Sequence, residues 1–393
     1  MKINITRLKT VPKEHTSEFE LCYYGQDDAE ITAWANNHKL ASYKSGDFTN
    51  IKIPKGTILS ELFNAREKYG YLDGFSPNIS KHLHIGHFSN LVLAKAFQSL
   101  GIANKNVSIL GDTLTGEVSK EEALKCLLEY CQLYGLKLDE INFASEIVLG
   151  ENIMADGTGE YEGTKIFDIE GDKVVGIKSS GQTSYFYQDV ALAQKLNSST
   201  LYLTGKEQTN HFGLIKKLFP NTHHIGLGLV KAEGKKMSSS VGNVIFMKDL
   251  IEQFGEEFHT PELIYNVFAG FILKSAPSVD KKINLDHIAN PKNSAGLYIS
   301  YTMARLHSAG MSFEIRSEIV PSFEIEMAYL KSKETLSPHF LFAEVGEVCK
   351  KVNGLYLTHI IKGNEANQGL FKPLLSDILW GCKKLGLFPV SKV

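Results

Sequence analysis

The sequence predicts an α/β protein that ends in an all-helical part, and three observations predict it. Apolar strand-like runs alternate with helix-period segments from Tyr71 to about residue 292, the pattern of a sheet covered by helices. From about Asn293 three helix-period stretches follow one another with no strand between them. Ahead of Tyr71, two strand-like runs and a short helix form a small α+β appendage. The segments so drawn are 1–70, 71–292 with a β-rich insertion at about 147–180, and 293–393.

In the appendage, "FELCYYG" and "FTNIKI" read as strands and "DDAEITAWANNHKL" as a helix with an acidic start. "TILSELFNAREKYG" carries Ile58, Leu59, Leu62 and Phe63 at helical spacing, which predicts a helix stopped at Gly70. "YGYLDGFS" is a brief strand. "FSNLVLAKAFQSLG" then puts Phe88, Leu91, Val92, Ala96 and Leu100 on one helical face, with Gly101 as terminator. After the β run "NVSIL", Ser119 and Glu122 form a capping box at the head of the helix "SKEEALKCLLEYCQLYGLKL". "TKIFDIEGDKVVGIKSS" is the β-rich insertion. "SYFYQDVALAQKL" reads as a strand turning into a helix, and "STLYLTG" as a strand flowing into the helix "KEQTNHFGLIKKLF". "SAGLYISYTMARLHSAG", "PHFLFAEVGEVCKKVNGLYLTHI" and "GLFKPLLSDILWGCKKLGLF" are the terminal helices.

Composition narrows the class. With 43% hydrophobic and 22% charged residues the chain is an ordinary globular protein, and no apolar run reaches membrane-span length. The first residues lack the apolar centre of a secretory signal, so a cytoplasmic location is expected. Five scattered cysteines show no C-x-x-C spacing, which supports neither a disulfide framework nor a structural zinc. A net charge of −2 excludes a generally basic nucleic-acid binder but leaves room for a local basic surface.

Two motifs carry chemistry. In "GFSPNISKHLHIGHF" a strand, a proline-containing turn and His84-x-Gly86-His87 lead into a helix. Helix N-termini present unpaired N–H groups and a positive dipole end, and imidazoles there can bond phosphate oxygens. Gly86 leaves the backbone open to a ligand. A metal site is the weaker reading, because His84 and His87 are only i and i+3 and no carboxylate or cysteine nearby completes a ligand set. The second motif, "LVKAEGKKMSSSVGNVIF", places Lys231, Lys235 and Lys236 on a Gly- and Ser-rich loop, the chemistry to hold departing phosphates.

About 150 residues apart and flanking an α/β sheet, these motifs resemble the paired signatures of the class I aminoacyl-tRNA synthetases. The surrounding residues are most similar to the arginyl-tRNA synthetases. "YLDGFSPNISKHLHIGH" resembles that family's acidic residue followed by Ser-x-Pro-Asn and His-x-Gly-His. "SYFYQDVALAQ" resembles its Tyr-x-x-x-Asp-(Ile/Val)-Ala segment, "YLTGKEQTNHF" its Gln-x-x-His, and "GLYISYTMARLHS" its Tyr-x-x-Tyr-x-x-x-Arg. The resemblance runs from about Tyr71 to the C-terminus.

It implies a Rossmann-like class I catalytic domain with a C-terminal anticodon-binding-like helical domain, acting on L-arginine, ATP and tRNA with Mg²⁺ on the pyrophosphate, and neither a membrane nor DNA as partner. It implies that His84, His87, Lys235 and Lys236 catalyse adenylation. Lys81, His84, Gly86, His87, Lys231, Lys236, Met237, Ser238 and Ser240 would bind ATP. Asp73, Ser76, Asn78, Tyr185, Asp189 and Gln208 would hold arginine, and Tyr301 and Arg305 would touch tRNA; no protein metal site is implied. Two carboxylates suit a guanidinium, a planar fork of permanent charge.

The sequence departs from the family in three places. Ser239 stands where the class has its second signature lysine, Gly111-Asp112 leads into "TLTGEVS" instead of a Trp-Gly-Thr-Gln-like segment, and the chain is much shorter than ordinary members. Three readings follow: a compact arginine–tRNA ligase, an arginine-activating paralogue serving another acceptor, and a silent regulator that binds RNA or arginine.

Overall fold

The computed structural model describes residues 5, 8–11, 18–24, 28–54, 57, 59–63, 68–112, 119–150, 153–232, 245–290, 292–313 and 321–393. They form two compact units: Met1–Glu67 with Thr302–Lys384, and Lys68–Tyr301 with Leu385–Ser391.

The N-terminal segment folds as β1 (Leu8–Val11), β2 (Glu18–Tyr24), α1 (Asp28–Asn37), β3 (Ala41–Ser45), β4 (Phe48–Pro54) and a single turn α2 (Leu59–Leu62). Its strands make an antiparallel sheet in the order β1-β2-β4-β3. The helix expected to run on to Gly70 ends at α2. Gly70 is instead a strand residue, where a Cβ would meet Ser198 Oγ at 2.1 Å, so its glycine serves close strand packing rather than a helix stop.

The second unit is built on a five-stranded parallel sheet. Its strands are β5 (Tyr69–Asp73), β6 (Ala103–Leu110), β7 (Glu140–Phe143), β11 (Thr200–Gly205) and β12 (Thr222–Leu227), in the order β12-β11-β5-β6-β7. Crossovers are made by α3 (Ile85–Leu100), α4 (Lys120–Leu133), α5 (Tyr185–Leu196) and α6 (Thr209–Leu218). The chain proceeds from β5 outward through β6 and β7, then returns to β11 on the other side of β5. The strand order therefore reverses between β5 and β11, and a crevice opens at their carboxyl ends, where doubly wound sheets bind ligands.

The insertion folds as β8 (Ala155–Asp156), β9 (Lys165–Ile169) and β10 (Asp172–Ile177), an antiparallel sheet within the expected span. No strand runs directly into α5. Ser184 is instead its N-cap, accepting from Tyr187 N, and the apolar Phe186 and Tyr187 that suggested a strand are buried on the helix.

Beyond the sheet come β13 (Val230–Ala232), which pairs with β14 (Lys281–Ile283), and α7 (Met247–Phe258), α8 (Pro261–Leu273) and α9 (Leu285–Ala289). Helix α3 is buried on more than the one face that its periodicity predicted, because it runs between the sheet and the almost wholly buried α8. Lys95 on α3 is thereby buried too. Its ammonium lies 4.2 Å from the Tyr265 ring centre and 3.6 Å from that of Phe388, and burial pushes its pKa down to about 7. Asn266 fixes Phe388 with both ends of its amide, donating to Phe388 O at 2.8 Å and accepting from Phe388 N at 2.9 Å.

Helices α10 (Ala295–Ser308), α11 (Phe323–Glu334), α12 (His339–Tyr356) and α13 (Glu365–Leu385) complete the chain, and the division between the units falls within α10. The sequence placed residues 1–70 and 293–393 in separate segments. In the structure Leu8, Leu21, Ile31, Trp34 and Phe63 share one apolar core with Phe323, Met327 and Leu330 of α11. A small four-stranded sheet has too little apolar surface to close its own core, and α11 supplies the missing wall.

Candidate active site

The crevice between β5 and β11 opens into a cavity of about 620 Å³ within the second unit. Asp73, Ser76, Asn78, His84, Gly86, His87, Tyr185, Asp189 and Gln208, all read from the sequence as site residues, line it.

Asp73 ends β5 and is 3% exposed. Ser76 Oγ donates to its Oδ1 at 2.5 Å and accepts from Ile109 N at 2.9 Å, while Ser108 Oγ donates to Phe75 O at 2.7 Å. The turn is thus pinned to β6 at both Phe75 and Ser76. Burial raises the Asp73 carboxyl to about 7, with the Ser76 hydrogen bond opposing and the charge of Asp189 adding. Asn78 Oδ1 is occupied by Ser80 N at 2.9 Å and Ser80 Oγ at 2.6 Å, and Ile79 N reaches Gly111 O at 2.8 Å.

His84 is the N-cap of α3. Its Nδ1 accepts from Gly86 N at 3.0 Å, and His87 Nδ1 accepts from His84 N at 3.1 Å, a capping box made of two imidazoles. Nδ1 of each ring is therefore the acceptor, and each ring's proton sits on Nε2, away from the helix backbone. Burial first and Lys81 second lower His84; burial, then His84, then Lys81 bring His87 down to about 3. Both rings are neutral at physiological pH, and each carries one N–H donor. Glycine is required between them because a Cβ at Gly86 would meet the His84 ring at 2.8 Å. The crowding in the sequence is in this way a helix cap and a donor pair at once.

The same cavity is lined by Asp189 of α5, its side chain 17% exposed and its pKa raised by burial against the lowering effect of His211. His211 Nε2 lies 2.7 Å from Asp189 Oδ2. In the sequence His211 stands inside Gln-x-x-His with no role implied for it, and Gln188, which also lines the cavity, carries no signal of its own. Only the approach of α5 to α6 reveals the pair. Tyr202, the β11 partner of Asp73, has a buried hydroxyl with no hydrogen-bond partner among the described residues, and burial with both carboxylates raises its pKa.

Other sequence-predicted residues lie elsewhere. Lys81, near enough to lower both histidines, lines a second cavity of about 660 Å³ together with His82, Cys126, Tyr130 and Phe246. Lys231 on β13 pairs with Asp280 at 3.0 Å, and Asp280 also holds Lys206 at 2.6 Å. Lys235, Lys236, Met237, Ser238 and Ser240 lie outside the described residues. Tyr301 is 44% exposed. Arg305 donates to Asn353 Oδ1 at 2.8 Å and stacks 4.4 Å over Tyr356, tying α10 to α12. Among the described residues no group of three His, Cys, Asp or Glu side chains could hold a metal ion, and no helix is long and apolar enough to cross a membrane.

A parallel 3-2-1-4-5 sheet, a histidine-capped first helix at the switch point and a helical C-terminal region define a class I aminoacyl-tRNA synthetase fold. The structure is similar to arginyl-tRNA synthetase of Thermus thermophilus, with a TM-score of 0.66 at 15% identity over 98% of this chain and 96% of that one. It is also similar to that of Plasmodium falciparum, with a TM-score of 0.57 at 16% identity over 96% of each chain. By sequence it is 26% identical over 243 residues to the arginine–tRNA ligase of Limosilactobacillus fermentum, a match covering 54% of this chain and 41% of that one. It is 23% identical over 402 aligned positions to that of Streptococcus pneumoniae, covering 72% and 71%. No protein family model matches the chain. The match spans less than half the length of the first relatives, 41% and 44%. Within that fold class, the chain is similar to the arginyl-tRNA synthetases, the likeness that its sequence motifs implied.

Proposed function

We propose that this chain activates L-arginine with ATP to arginyl-adenylate and passes the arginyl group to the terminal ribose of a tRNA. The observation that carries the reading is one cavity lined both by two carboxylates, Asp73 and Asp189, and by the neutral imidazoles of His84 and His87. A guanidinium entering the carboxylate end would satisfy both charges, whereas a neutral side chain would leave buried carboxylates unpaired.

With arginine so held, its own carboxylate oxygen attacks the α-phosphorus of ATP. The P–O bond to the β-phosphate breaks and pyrophosphate leaves with the bond's electron pair. Charge builds on the α-phosphate oxygens, where two neutral imidazole donors stabilise it without first having to lose a proton. Gln208 and Asn78 suit the α-amino and carboxylate end, and Tyr185 the guanidinium end. Magnesium would arrive with the nucleotide, since no group of three His, Cys, Asp or Glu side chains among the described residues would hold it, and it would supply positive charge to the departing pyrophosphate. No protein nucleophile is required, and catalysis is positioning together with charge stabilisation.

A second reading, transfer to an acceptor other than tRNA, draws on Arg305, which is spent on holding α10 to α12. Arginine-dependent ATP–pyrophosphate exchange, with and without total tRNA, separates the two. Exchange that needs tRNA and is followed by arginyl-tRNA formation supports the ligase. Exchange with arginine alone supports the other acceptor, and no exchange in either condition refutes both.

A further inference from the structure

The two carboxylates are held in the same manner. Asp73 Oδ1 is taken by the Ser76 hydroxyl at 2.5 Å, and Asp189 Oδ2 by His211 Nε2 at 2.7 Å. Among the described residues nothing hydrogen-bonds Asp73 Oδ2 or Asp189 Oδ1. Each carboxylate thus offers the cavity one committed oxygen and one open one. His211 is itself fixed in place: the ring stands edge-on to Phe186 at 5.1 Å and lies against Phe212 at 4.9 Å. It reaches Asp189 from α6, a different element from the carboxylate's own α5, so its position is set by tertiary packing.

We propose that His211 is the positioning residue for cation recognition: it turns Asp189 so that Asp189 Oδ1 and Asp73 Oδ2, one oxygen from each carboxylate, receive a single guanidinium between them. The inference rests on the reading of arginine as substrate and adds how the site chooses it. A guanidinium carries its N–H groups on separate nitrogens in one plane and can address two oxygens that belong to different carboxylates. An ammonium is a compact point charge, and one fixed oxygen on each side serves it less well than a freely turning carboxylate would. Removing the His211 donor frees Asp189 to rotate and meet any cation side-on, which costs arginine affinity and relaxes the choice.

The test uses the whole chain and isothermal titration with arginine, lysine and ATP in turn. His211→Phe keeps a ring against Phe186 and Phe212 but has no donor. His211→Gln restores an N–H donor near the place of Nε2. The Phe variant is expected to bind arginine about tenfold to a hundredfold more weakly, the loss typical of a hydrogen bond to a charged group. It should favour arginine over lysine less strongly and bind ATP as before. The Gln variant is expected to return arginine affinity to within a few-fold of the parent. Unchanged arginine affinity and unchanged discrimination in His211→Phe overturn the inference, as does equal loss in both variants, which would mean that the ring only packs. A parent chain that fails to bind arginine removes the substrate reading itself, and this inference with it.

Discussion

Replacing Asp73 with asparagine should make the empty protein more stable while it removes arginine binding. Asp73 is 3% exposed, and its carboxyl is raised from 3.8 to about 7, chiefly by burial. The folded pKa lies above the unfolded one, so the contribution to stability is full below about pH 4. It is lost progressively as pH rises towards 7, where the unfolded chain gives up its proton and the folded chain keeps it. The distance from 3.8 to about 7, at about 1.4 kcal/mol for each decade of proton affinity, comes to about 4 kcal/mol of destabilisation above pH 7. Asparagine has the same outline, accepts the Ser76 hydroxyl through its own Oδ1 and cannot ionise. Asp73→Asn should therefore raise the unfolding free energy read by urea denaturation of the unit that holds it, by up to a few kcal/mol at pH 8 and by only about 1–2 kcal/mol at pH 5. Arginine binding to the parent should release a proton below pH 7, so affinity falls about tenfold for each further pH unit of acid; titration in two buffers of different ionisation enthalpy reads that proton directly. Equal stabilisation at both pH values, or a loss at pH 8, would refute the reasoning.

Two further outcomes are expected. His87→Ala should slow adenylation about a hundredfold, the usual effect of losing one preorganised donor, and leave arginine affinity nearly unchanged; pyrophosphate-exchange rates set beside arginine titration separate the two quantities. Since His87 Nδ1 also accepts from His84 N, the variant should lose about 1 kcal/mol of stability as a cap defect. Arg305→Ala should cost about 1–2 kcal/mol through the lost Asn353 hydrogen bond and Tyr356 stacking, with RNA affinity kept; a variant of unchanged stability that binds RNA tenfold more weakly would return Arg305 to the surface role that its motif suggested.

The fold class and the cavity's main residues were legible in the sequence because their signals are local. The turn from β5 into α3 carries Asp73, Ser76, Asn78, His84 and His87 within fifteen residues, and Ser119 announces the start of α4 by its own capping chemistry. The strand–helix alternation fixes the parallel sheet, and that in turn fixes where a crevice must open. Misreadings fell where one residue type serves two ends: Gly70 as helix stop or close-packed strand, and Phe186 and Tyr187 as strand or buried helix face. Lys231 and Arg305 look like free cations in the sequence, and only the fold brings Asp280 and Asn353 to them.

What the tertiary structure alone decided is the state of the site. Asp73 and Asp189 are more than a hundred residues apart, and their shared cavity, their raised pKa values and the His211 contact all depend on α5 and α6 closing over β5 and β11. The sequence determines which groups are present and the short-range geometry that joins them along the chain. Burial and approach across elements set their charge, and no local pattern records that, because the low-dielectric surroundings are assembled from the whole sheet and its helices.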